Sequence, residues 1–128
     1  MSDAARDFLM RLLQTASPSG DEIAASRIWR HEAQTFADTV YGDVLGSSFA
    51  VLNGGHPRVL FAGHIDEIGL MISHIDDKGF CYFQPIGGWD SQVLVGQRIR
   101  ILGRNGLVRG VIGKKPIHLM TPDRSEEH

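Results

Sequence analysis

Helical periodicity is confined to the first 36 residues of this chain, and that confinement restricts its fold more than any other feature. Phe8, Leu9, Leu12 and Leu13 recur at spacings of three and four, which lines one face of a helix. Asp3 is placed to cap it. Ser17-Pro18-Ser19-Gly20 stops it, because proline cannot continue the ladder and biases the residue before it toward extended backbone. Ser19 followed by Glu22 has capping-box spacing. It predicts a second helix starting there, with Ala25, Ile28, Trp29, Ala33 and Phe36 on the buried face. From about Thr39 the chain changes to short β-branched or aromatic runs between glycine-rich turns. Phe49-Ala50-Val51-Leu52 reads as one strand, ended by Asn53-Gly54-Gly55. Val59-Leu60-Phe61-Ala62 is apolar at every position, which predicts a strand covered on both faces in the middle of an α/β sheet. Two hairpins follow. Leu70 to Ile75 and Phe80 to Phe83 flank Asp76-Asp77-Lys78-Gly79; Gln97 to Leu102 and Leu107 to Ile112 flank Gly103-Arg104-Asn105-Gly106, where Asn-Gly supplies positive φ. No helical stripe occurs between Asp66 and Leu119. The expected architecture is an α/β part over residues 1–74, followed by an all-β part resembling a small barrel over residues 75–128.

Composition removes several function classes. Thirteen basic against 15 acidic residues leave a formal charge of −2, so no global electrostatic case exists for nucleic acid or an anionic membrane as partner. No apolar run approaches the ~18 residues of a membrane span. Met1-Ser2-Asp3-Ala4-Ala5-Arg6-Asp7 carries acids where a signal peptide carries bases, with no apolar run behind it. Cys81 is the one cysteine, so there is no disulfide framework and the reducing cytoplasm is the simplest location. Neither G-x-G-x-x-G, a P-loop nor G-x-S-x-G occurs.

The strongest candidates for chemistry are His64 and Asp66, at the end of the apolar run. A histidine there lies at the carboxyl edge of an α/β sheet, where side chains open into a crevice. Neutral imidazole ligates zinc-like ions, and a nearby carboxylate that accepts the other ring N–H fixes the tautomer. Ile65 takes the opposite side of an extended segment, so His64 and Asp66 share a face. The competing reading makes His64 a satisfied core histidine and Asp66-Glu67 the start of a solvated loop. Glu67 alternates away from Asp66, which suits a structural hydrogen bond or salt bridge better than a general base. His74 and His118 have no partner at metal-binding spacing, and His31, His56 and His128 are expected in solvent. Cys81 sits among Phe80, Tyr82 and Phe83 and is expected to pack rather than to act as a nucleophile. Gly87-Gly88-Trp89-Asp90 suits an unusual turn closed by packing of Trp89. Arg98, Arg100, Arg104, Arg109, Lys114 and Lys115 form a basic run without interleaved aromatics, which fits a solvated face or a subunit contact better than a nucleic-acid surface.

Gly63-His64-Ile65-Asp66-Glu67-Ile68-Gly69 resembles the first metal-site motif of the tetrahedral metalloaminopeptidases, a family that includes glutamyl aminopeptidases and relatives often labelled endoglucanase M. Ala16-Ser17-Pro18-Ser19-Gly20-Asp21-Glu22 is similar to the family's early helix–loop–helix signature. Ile86-Gly87-Gly88-Trp89-Asp90, Gly96-Gln97-Arg98-Ile99, Gly110-Val111-Ile112-Gly113 and Lys115-Pro116-Ile117-His118-Leu119 resemble its successive β-domain motifs, in the same order. The resemblance implies a cytosolic exopeptidase that removes N-terminal residues from peptides with two zinc or cobalt ions. It implies that His64 ligates one metal and that Asp66 is the carboxylate orienting it. It further implies an inserted β-barrel that makes dimers, and dimers that build a tetrahedral dodecamer.

The family's remaining ligands, its paired glutamates and its general base have no match after Leu119. Glu126-Glu127 is rejected as the glutamate pair, because it follows Thr121-Pro122-Asp123 as the polar start of a helix. The expectation is therefore the N-terminal portion of a dinuclear aminopeptidase, with at most one partial metal site and no peptidase activity by itself. A non-catalytic binding or assembly module, or one half of a split enzyme, is the alternative. Glucanase chemistry has no support, since no carboxylate pair spans a sugar cleft.

Overall fold

The structure, a computed structural model, describes residues 1–114. The described residues divide into two compact units, one ending at Gly88 and the other beginning at Trp89.

The first unit begins with α1, Asp3–Gln14, and α2, Ile23–Ala33. The α1 cap is Ser2, not Asp3: the Ser2 hydroxyl accepts from the Ala5 amide at 3.2 Å, and Asp3 falls in the first turn. That assignment suits both residues, since an acid in the first turn faces the positive end of the helix. Phe8 and Leu12 are half-buried, whereas Leu9 and Leu13 are exposed. On α2, Ala25 and Ala33 are buried and Ile28 and Trp29 half-buried. Phe36 lies past the helix end and is exposed. Arg11 of α1 and Glu32 of α2 form an ion pair at 3.0 Å.

Two antiparallel hairpins complete this unit. Strand β1, Thr39–Gly42, which the sequence patterning did not reveal, pairs with β2, Ser48–Val51. Their facing rings, Tyr41 and Phe49, stack at 4.8 Å. Strands β3, Gly69–Ile75, and β4, Cys81–Ile86, form the second hairpin at the expected place, with a bulge between Ile72 and His74. The two turns use one device. A single aspartate oxygen accepts two backbone amides: Asp43 from Leu45 and Ser47, and Asp76 from Lys78 and Phe80. Cys81 is exposed, contrary to the expected packing, because its strand's outer face has no covering layer among the described residues.

Residues 59–62 are not a strand. Val59, Leu60 and Phe61 are 70%, 86% and 92% exposed. A strand buried on both faces needs neighbours on each edge and a layer on each side, and the described residues provide neither for this run.

In the second unit, Asp90 caps a single helical turn, α3, Ser91–Leu94, by accepting from the Gln92 amide at 2.9 Å. This corrects the expectation of no helix after Asp66; one turn is too short to show a period. Strands β5, Arg98–Gly103, and β6, Gly106–Val111, form the second predicted hairpin. Gly106, at φ +116°, carries the positive φ, and Asn105 does not. Among the described residues of this unit, Leu94 and Ile112 are the buried apolar pair. Backbone bonds from Gly96 to Ile112 and from Ile112 to Gln97 tie the hairpin base to α3.

Candidate functional site

The site is built where two segments far apart in sequence meet. Residues 17–19, in the turn after α1, lie against residues 65–69, which lead into β3. Ser17 is buried, and its hydroxyl donates to the Ile65 carbonyl at 2.9 Å. Its amide donates to Glu67 Oε1 at 3.1 Å. The Glu67 amide donates back to the Ser17 carbonyl at 2.9 Å, and the Ser19 amide donates to the Glu67 carbonyl at 3.2 Å. Pro18, having no amide hydrogen to satisfy, sits opposite Glu67 in a parallel bridge. The clamp explains Glu67: its carboxylate braces the Ser17 backbone, as the alternation argument anticipated.

With the segments clamped, Ser19, Asp66 and His64 form a chain of hydrogen bonds. The Ser19 hydroxyl donates to Asp66 Oδ2. Asp66 Oδ1 lies 2.9 Å from His64 Nδ1, and the Asp66 carbonyl oxygen lies 3.1 Å from the same nitrogen. Both oxygens are acceptors, so in the neutral ring the proton belongs on Nδ1, which leaves the Nε2 lone pair free. The Ser19 hydroxyl first, and the His64 ring second, hold the Asp66 carboxyl below the usual carboxylate range. The His64 side chain is 86% exposed, so Nε2 is open to an incoming ligand. A ring fixed by a carboxylate at one nitrogen, with the other nitrogen free, is the donor arrangement of a metal-ligating histidine.

The other candidates stand apart from this chain. His74 is exposed on β3, its ring tilted against Tyr82 at 5.7 Å. His31 and His56 are exposed, as expected. His118, His128, Lys115 and Glu126-Glu127 lie outside the described residues. Among the described residues no group of three or more His, Cys, Asp or Glu side chains could hold a metal ion. The arrangement therefore fits one imidazole ligand with its orienting carboxylate. No helix among the described residues is long and apolar enough to cross a membrane.

Sequence patterning missed the part played by Ser19. Its spacing to Glu22 predicts a capping box, but Ser19 does not cap α2. Glu22 occupies the cap position without a side-chain cap bond, and its carboxylate turns back to accept from the Gly20 amide at 2.6 Å. The carboxylate that takes the Ser19 hydroxyl lies 47 residues away, where no local pattern points.

Solved structures that match this chain include aminopeptidases. A TET aminopeptidase from a marine-sediment Thaumarchaeota archaeon is 37% identical, with a TM-score of 0.88 over 98% of this chain and 36% of its own. The TET1 peptidase of Pyrococcus horikoshii, which can assemble into a tetrahedron or a large octahedral shell, is 34% identical, with a TM-score of 0.76 over 94% of this chain and 36% of its own. The lysyl aminopeptidase of Pyrococcus furiosus is 43% identical over 83 residues, which is 65% of this chain and 24% of that protein. The chain spans about a third of the length of the curated relatives it matches. The architecture of this chain is thus shared with part of these aminopeptidases. Residues 46–128, which include the His64–Asp66 pair, match the model of one family, and the chain accordingly belongs to the M42 glutamyl aminopeptidases.

Proposed function

We propose that this chain supplies the first metal ligand of a dinuclear aminopeptidase, with His64 as the ligand through Nε2 and Asp66 as the carboxylate that orients it. The observation that carries this reading is the placement of His64 Nδ1 against Asp66 Oδ1 at 2.9 Å, which leaves the other ring nitrogen to a metal. In the complete protein the site holds two divalent ions, zinc or cobalt, whose bound charge polarises a peptide carbonyl and acidifies water. Residues 1–74 belong to the catalytic α/β domain. Residues 75–128 begin an inserted β-barrel through which the protein dimerises and assembles into a tetrahedral particle. The substrates are peptides cleaved at the N-terminus, and the location is the cytoplasm. The exposed apolar run Val59–Phe61 supports this assignment, since apolar side chains leading to His64 suit cover by further layers of a catalytic domain.

One imidazole does not make a dinuclear site, so the 128-residue chain by itself turns over no substrate. Hydrolysis of an aminoacyl chromogenic substrate, with zinc or cobalt added, tests this directly. Metal-dependent turnover by the pure chain would overturn it. If a second polypeptide supplied the missing ligands, mixing the two would restore turnover. In a protein with the full ligand set, His64→Ala removes one metal ion per chain by elemental analysis; unchanged metal content would end the ligand assignment.

A further inference from the structure

We infer that Ser19 is a positioning residue for the metal site: through Asp66 it sets the tautomer and orientation of the His64 ring. The inference rests on the ligand role proposed for His64, but the arrangement of the three side chains stands without it. Asp66 has two carboxylate oxygens, and each has one partner of its own. Oδ2 takes the Ser19 hydroxyl, and Oδ1 takes His64 Nδ1. A carboxylate on a short exposed segment can rotate, and the Ser19 bond fixes which oxygen faces the ring.

Ser19 is itself held. Its amide donates to the Glu67 carbonyl, and Ser17, two residues earlier, is bonded to both Ile65 and Glu67. The hydroxyl therefore reaches Asp66 from a backbone already locked to the same segment that carries Asp66. Capping of α2 is the ordinary task for a serine at this spacing, and the structure leaves that task undone. The result is a relay from the turn after α1 to the ring at position 64.

The test is the tautomer of His64 in the metal-free 128-residue chain, read from its ring ¹⁵N shifts at a pH where the imidazole is neutral. In the native chain Nδ1 carries the proton. Ser19→Ala shifts the population toward the Nε2–H form that an unheld imidazole favours, and Ser19→Thr, which keeps a hydroxyl, restores the native form. Asp66→Asn produces a shift of its own, and adding Ser19→Ala to it changes nothing further, because Ser19 acts through Asp66. Zinc titration of the same variants, in a protein carrying the remaining ligands, shows about a 3- to 10-fold loss of affinity for Ser19→Ala, less than for the carboxylate it supports. An unchanged tautomer in Ser19→Ala would overturn the inference, as would additive effects of Ser19→Ala and Asp66→Asn. A Thr variant that behaves like Ala would also overturn it. A shifted tautomer in Ser19→Ala together with unchanged metal content in His64→Ala would leave Ser19 as the positioning residue of the ring and remove His64 from the ligand set, so the two readings fail separately.

Discussion

Gly69 faces Pro18 with no room for a side chain: a Cβ on Gly69 would lie 2.8 Å from the Cβ of Pro18. The proline ring cannot rotate away, so the backbone of one segment would have to move. Gly69→Ala should therefore loosen residues 17–19 from residues 65–69 and destabilise the fold by about 1–3 kcal/mol. Equilibrium denaturation measures the loss. Wild-type stability in Gly69→Ala would mean that the two segments are not in contact.

This contact also shows what the sequence could and could not reveal. Both hairpins past residue 69 were legible, because Asp76–Gly79 and Gly103–Gly106 carry turn chemistry within four residues. His64 and Asp66 were legible as a pair, because two residues apart on an extended segment share a face. The clamp was not legible. It joins Ser17 to Glu67 and Ser19 to Asp66, and side-chain pairing across such separations leaves no period. Val59–Ala62 misled in the opposite sense: its composition specifies a covered strand, and composition does not say where the cover comes from.

Ser17 tests the clamp from its buried side. Ser17→Ala deletes the bond to the Ile65 carbonyl while keeping the volume nearly unchanged, and should cost about 1–3 kcal/mol. Glu67→Gln keeps an oxygen for the Ser17 amide and should cost less than Glu67→Ala. Equal losses for the two Glu67 variants, by thermal or denaturant unfolding, would remove the Ser17–Glu67 bond from the account.

The orienting role of Asp66 predicts a separation between binding and folding. In a protein with the complete ligand set, Asp66→Asn should lower metal affinity about 10–100-fold. Glu67→Gln, one residue away but turned toward Ser17, should leave metal content unchanged. Competition against a chelator reads both variants. Equal loss in the two would show that the segment as a whole, rather than the Asp66 carboxylate, supports the metal.

Asp76 organises the β3–β4 turn through one oxygen that accepts the Lys78 and Phe80 amides, each at 2.9 Å. Asp76→Ala leaves both amides to water and should destabilise the hairpin by roughly 1 kcal/mol. Asp76→Asn keeps the acceptor and should recover most of that. Amide hydrogen exchange at Lys78 and Phe80 reports the change locally, and protection that survives Asp76→Ala would locate the turn's stability elsewhere.

On the β5–β6 hairpin, Arg100 and Arg109 lie directly opposite one another, both exposed. Like charges at facing positions oppose pairing, whereas threonine at a strand position favours it. Arg109→Thr should therefore stabilise the hairpin by about 0.2–1 kcal/mol at low salt. The repulsive share is screened at high ionic strength, so the gain should shrink toward the strand-propensity difference at about 1 M salt. Denaturation midpoints of the two proteins at both salt concentrations decide it. A gain that does not depend on salt would assign the effect to threonine's β-branched side chain alone, and a loss would mean that the paired arginines hold the strand in place through contacts stronger than their repulsion.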